Sequence, residues 1–228
     1  MLDVHLPHKL HGAGEFFLHL FTITVGLLIA VQIESFVEWR HHLHLAEEAR
    51  AELRLEIAHN LEDYKQMLPG LKVYRQKIDV DLDILRLIQE HRTVSKEQLD
   101  KFGVSTGSAE LNDTAWKTAQ TTGALAYMPY EEAEAYSSIY QSQAALLAMA
   151  DKPMEEGDTF VGLLAKFHLQ AGELSKLNAE QASEIAEILG RMRMQMAVAD
   201  TQLQNNIEGN SAFLEHRKAR AYLDTNLK

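Results

Sequence analysis

The sequence predicts an all-α protein: an N-terminal transmembrane helix that continues into a long amphipathic stalk packed in an antiparallel helical bundle. Three observations predict it. Residues 16–33 form a run of 18 without Asp, Glu, Lys or Arg. Beyond that run, apolar residues recur at steps of three and four with no breaker before Pro69. Only 4 prolines and 12 glycines punctuate the 228 residues, and no β-rich segment longer than about five residues interrupts the helical periodicity.

The apolar run comes first. At about 1.5 Å rise per residue it spans roughly 27 Å, close to the thickness of a hydrocarbon core. Within it Thr24 can return its hydroxyl to the helix backbone, while His19 and Gln32 lie near the two ends. Phe16, Phe17 and Trp39 stand at the borders, where Trp favours the water interface. A buried core helix would show a polar face, and this stretch has none. A cleaved signal peptide needs a small-x-small site after its apolar region, whereas Gln32-Ile33-Glu34-Ser35 follows here. The reading is an uncleaved anchor. Lys9 on one side and Arg40 and Arg50 on the other do not decide its orientation. Gly26 and Ala30 place two small residues four apart, a spacing that lets two transmembrane helices approach closely.

The stalk follows. Ala46, Ala49, Leu53, Ile57, Leu61, Tyr64 and Leu68 make one stripe, and Pro69-Gly70 is expected to stop the helix. A second helix is expected over 71–91, with Tyr74, Ile78, Leu82, Leu85 and Ile88 on one face, folding back as an antiparallel hairpin. Residues 92–112 are polar and form the main loop, with a capping box at Ser95 and Gln98 opening a short helix. Asn112 or Asp113 caps a third helix over 114–126. Pro129, Glu131 and Glu132 suit the start of a fourth, whose inner face carries Tyr136, Ile139, Tyr140, Gln143 and Leu147. Pro153 interrupts or ends it, and a fifth helix runs to about Leu177. Asn178 and Gln181 cap a sixth, which runs through Ile185, Leu189, Met192, Met196, Ala199, Leu203 and Ile207 towards Tyr222. The expected layout is a flank over 1–15, a transmembrane helix over 16–38 and a helical-bundle domain over 39–228. Within that domain 39–91 is the hairpin, 92–112 the loop and 113–228 the further helices.

Composition narrows the function classes. A formal net charge of -11 repels phosphate backbones, so no nucleic-acid partner is expected. The absence of cysteine excludes disulfides, thiolate metal sites and cysteine nucleophiles. No phosphate-binding glycine loop, dinucleotide fingerprint, nucleophile elbow or kinase motif occurs, so no enzyme and no catalytic residue is expected.

Two enrichments remain. Of 11 histidines, 8 lie in the first 59 residues: His5, His8, His11, His19, His41, His42, His44 and His59. A metal needs three or four ligands converging on one point. Adjacent His41 and His42 diverge by about 100° on a helix. No metal or other cofactor is therefore expected; His41 and His44 are the candidates if the histidines bind metal or haem. Glu-x-x-His occurs as Glu38/His41 and Glu56/His59, but on one helix about 27 Å apart, so one chain cannot join them in a di-iron site. Four of the 7 tyrosines, Tyr127, Tyr130, Tyr136 and Tyr140, fall near Trp116. They either fill a helical core or line a ligand pocket, as in a sensor-like extracytoplasmic bundle.

The segment from Gly26 to Arg40, reading GLLIAVQIESFVEWR, and the segment AWKTAQTTGALAYM from Ala115 to Met128, followed by Tyr136 and Tyr140, resemble uncharacterised bacterial families of short single-pass membrane proteins. The resemblance covers about a fifth of the chain. It implies a bacterial inner-membrane location with the helical body outside the cytoplasm, and it transfers no functional residue. The expected partners are the lipid bilayer and either further copies of the chain or another membrane protein.

Overall fold

The computed structural model describes residues 12–103, 110–169 and 174–226. His5, His8 and His11, most of the 1–15 flank and part of the expected loop lie outside these residues. All regular structure among the described residues is helical, with no strand: α1 (Gly12–Gln89), α2 (Lys96–Lys101), α3 (Thr114–Thr121), a 3-10 turn (Ala124–Tyr127), α4 (Tyr130–Lys166), a second 3-10 turn (Leu174–Lys176) and α5 (Ala179–Asn226).

α1 is a single helix of 78 residues, about 117 Å long. The hairpin expected at Pro69-Gly70 does not form, because α1 runs straight through both residues. A proline inside a helix costs about 3 kcal/mol, since it removes one N–H and strands the carbonyl four residues back. Here Pro69 and Lys65, the residue whose carbonyl is stranded, both face solvent, so water satisfies that oxygen. Against the cost stands burial on the far side: Ile78, Ile84 and Leu85 are all at most 3% exposed, and each buried side chain of this size contributes about 1.5–3 kcal/mol. α5, with 48 residues, is long enough to cover α1 on both sides of the proline. The same outcome holds at Pro153. α4 does not end there but continues to Lys166, with Pro153 on its buried side.

Interhelical hydrogen bonds fix the directions. Arg75 meets Asp200, Asp79 meets Arg193 and Gln89 meets Ser183, so α5 runs antiparallel to α1. Ser142 meets Asn206 and Glu156 meets Arg191, so α5 is also antiparallel to α4. Arg50 meets Glu132 and Asn60 meets Gln143, so α4 is parallel to α1. Three apolar clusters succeed one another along this arrangement. Nearest the apolar run are Leu53, Ile57, Ala124, Tyr136 and Tyr140. Tyr64, Leu146 and Leu203 follow. Ile78, Leu85, Phe160, Ile185, Leu189 and Met192 close the far end.

Local signals set the boundaries. Ser95 and Gln98 form the expected capping box, and Asn178 and Gln181 bond reciprocally at 3.1 and 2.8 Å ahead of α5. Glu131 and Glu132 occupy the first turn of α4. α3 stops at Thr121, short of the expected 126, because Gly123 turns the chain in the left-handed region at φ 74°. α1 and α4 both close on a histidine in that region, His91 at φ 56° and His168 at φ 53°.

The first stretch of α1 differs from everything after it. An 18-residue window there has a mean hydropathy of 2.2, and none of it is buried. The first buried residue of the helix is Ala46. This stretch is long and apolar enough to cross a membrane. Its hydroxyls are satisfied within the helix, with Thr22 bonding to the carbonyl of Leu18 at 2.9 Å and Thr24 to that of Leu20 at 2.8 Å.

Candidate functional site

The densest polar constellation lies where α1, α3 and α4 meet. Glu56 projects from the apolar stripe of α1 towards the start of α3. Its carboxylate accepts from the backbone N–H of Ala115 at 2.8 Å and of Trp116 at 3.3 Å. The N-cap residue Asp113 makes no side-chain capping bond, so Glu56 caps α3 from another helix, where a negative charge meets the positive end of the helix dipole. The Tyr140 hydroxyl donates to the same carboxylate at 2.6 Å. Burial first, and then the Glu56 carboxylate, hold this phenol far above its ordinary pKa, so Tyr140 is a fixed donor.

One turn further along α1, Asn60 grips Asn112 as a backbone would. Its amide donates to the Asn112 carbonyl at 2.7 Å, and its oxygen accepts the Asn112 N–H at 3.0 Å. Gln143 of α4 donates to the same carbonyl at 2.8 Å and accepts from Asn60 at 3.0 Å. The Tyr64 hydroxyl adds a contact to Gln143 at 3.4 Å, and burial lifts its pKa to about 12. Asn60 and Gln143 are almost wholly buried, so these bonds replace water that has been excluded. The arrangement ties the chain entering α3 to two long helices. Its polar atoms are occupied by the protein itself, which suits rigid attachment.

Beside this clamp, α1 and α3 bound an open groove of about 800 Å3. Leu45, Ala49, Leu55 and Ala119 supply its apolar walls, and Glu48, Glu52 and His59 its rim. His59 stands 3.6 Å from Asp63.

The structure separates the aromatic residues picked out by sequence. Trp116 stacks on Tyr140 with centroids 5.0 Å apart, and Tyr136 packs edge-on against Phe213 of α5 at 5.3 Å. These four belong to the cluster nearest the apolar run of α1. Tyr127 instead stacks on His42 at 4.0 Å, outside that cluster, and Tyr130 is 80% exposed. Tyr127 lines a shallow cleft with Trp39 and His42, away from the packed Trp116, Tyr136 and Tyr140. Gly26 and Ala30 lie on the exposed surface of α1, and a side chain added at Gly26 would meet nothing within 4 Å. His41 is exposed, and His44 pairs with Glu48 at 3.1 Å. Among the described residues no group of three or more His, Asp or Glu is placed to hold a metal.

Glu56, Asn60 and Asn112 carry the clamp, and periodicity alone does not mark them as partners. A faint signal exists: Asn60 sits among the buried positions Leu53, Ile57 and Tyr64, where a polar residue is tolerated only with a bonding partner. Asp81 is a further buried polar group. It accepts from the Gly103 N–H at 3.4 Å through one oxygen while the other has no partner among the described residues, and burial raises its pKa to about 6.

No protein-family model, curated protein or solved structure matches this chain.

Proposed function

We propose that this chain is a single-pass, membrane-anchored interaction protein, whose α1 crosses the lipid over 16–38 and carries an antiparallel helical bundle that self-associates or docks on a membrane complex. The observation that carries the reading is the anchor stretch itself. Phe17, Phe21, Ile23 and Leu27 are each at least 64% exposed, with none of the other described residues over them. An exposed apolar surface of this size is stable in lipid and unstable in water. Internal bonding of Thr22 and Thr24 fits the same solvent, because hydrocarbon offers a hydroxyl no partner.

Gly26 and Ala30 supply the contact face for association. Both are exposed among the described residues, so a second helix has room to approach there. The clamp at Glu56 and Asn60 serves this role by holding α3 and α4 rigidly on the rod that leaves the membrane. The body faces away from the cytoplasm in this reading.

Mass measurement in lipid discs tests it. The wild type is expected as an oligomer or a complex with a membrane protein, and Gly26→Leu is expected to lower the fraction of the homo-oligomer. A lone monomer in both, with nothing co-purifying from the membrane, would refute the association.

A further inference from the structure

The end of the helical body that faces the anchor has its own surface. Parallel pairing of α1 and α4 sets the level of each residue along the rod. Arg50 with Glu132, Asn60 with Gln143 and Glu56 with Tyr140 have sequence offsets of 82, 83 and 84. The same offset brings the start of α4 level with the segment of α1 just past Leu45. The 3-10 turn lies nearer the anchor still, since Tyr127 stacks on His42. The proposed crossing ends at Glu38, and His42 lies four residues beyond it, about 6 Å along the helix. Headgroup zones extend roughly 5–8 Å beyond each side of the hydrocarbon core. If 16–38 crosses the bilayer, Tyr127 therefore stands at headgroup depth.

The chemistry at this level fits that depth. Trp39 is 55% exposed and tilts against Phe36 at 5.8 Å. Trp39, His42, Leu43 and Tyr127 together line a shallow cleft. Rings with an apolar body and a polar tip are the side chains that settle in headgroup layers. Tyr130, 80% exposed, stands level with about residue 47 of α1, roughly 7 Å further out than His42, and reaches back towards that level. Side chains tilt towards the N-terminus of their helix, and for α4 that end is the membrane end.

We propose that the 3-10 turn and the start of α4, through Tyr127 and Tyr130, form an aromatic foot that rests in the headgroup layer beside Trp39 and fixes the depth and tilt of the rod. The occupant of this surface is the lipid bilayer, and the inference rests on the membrane-anchor reading. Glu38, Glu47 and Glu48 share this level, so the rings rather than net charge make the contact.

Tryptophan emission in phosphatidylcholine vesicles carrying a headgroup nitroxide tests the foot. Two full-length reporters are needed. One keeps Trp39 in a Trp116→Phe background. The other carries Tyr127→Trp with Trp39→Phe and Trp116→Phe. Circular dichroism confirms that both remain helical. The nitroxide is expected to reduce emission from both reporters by comparable factors, relative to unlabelled vesicles. Loss of emission from the Trp39 reporter alone overturns the foot and leaves the anchor standing. Undiminished emission from both overturns the anchor reading and the foot with it.

Discussion

At the residue scale, Glu56 is the side chain whose loss is felt at most sites at once. It caps α3, anchors Tyr140 and thereby fixes the stacked Trp116. Glu56→Ala leaves two backbone N–H groups and a buried hydroxyl without their acceptor, and each such group costs about 1–3 kcal/mol. The expected loss is about 3 kcal/mol in chemical denaturation, with a red shift of Trp116 emission. Glu56→Gln keeps one acceptor and loses less. Asp81 gives a pH signature. Its carboxyl pKa is raised to about 6 from an ordinary 3.8. The folded state therefore binds more protons than the unfolded state between these values, so stability falls as pH rises from about 4 to about 6 and then levels. Denaturation midpoints of Asp81→Asn across this window are expected to lack that decline. An unchanged decline would place its cause elsewhere.

The element scale turns on α1. Ordinary local rules end a helix at Pro-Gly, yet α1 passes through Pro69 and Gly70 because the burial of Ile78, Ile84 and Leu85 outweighs one missing hydrogen bond. Pro69→Ala restores that bond in an exposed position, so a stabilisation of about 1–3 kcal/mol is expected. A hairpin at this point would respond the other way, with a loss of stability. His168 ends α4 in the left-handed region at φ 53°, where a side chain is strained by about 1 kcal/mol. His168→Gly is expected to raise the melting temperature by about 2–4 °C.

These elements also show what was legible in sequence. The capping pairs Ser95/Gln98 and Asn178/Gln181 act within three residues, and the structure contains both. Glu131 and Glu132 mark the start of α4 for the same local reason. Pro69 and Pro153 misled because their outcome depends on α5, more than 100 and about 40 residues away along the chain. The clamp was hidden for that reason too: Glu56 and Ala115 are 59 residues apart, and no periodicity pairs a stripe carboxylate with a distant helix start.

At the scale of the whole molecule, α1 has two regimes. From about His42 onward it is one wall of a packed helical body, and the apolar run before that point is exposed among the described residues. Continuity of the helix couples the two, so in the proposed reading the tilt of the anchor in lipid becomes the tilt of the body. In the proposed reading the aromatic foot and the small-residue face at Gly26 and Ala30 act on the same rod, one against lipid headgroups and the other against a neighbouring helix. Substituting the foot residues is expected to change orientation without changing the oligomer, and substituting Gly26 the reverse. The central claim is that the exposed apolar stretch of α1 lies in lipid. Washing isolated membranes at alkaline pH, which strips peripheral proteins, tests it most directly. The full-length chain is expected to remain in the membrane pellet and to enter solution only with detergent. Recovery in the wash as a freely soluble folded protein would contradict the account.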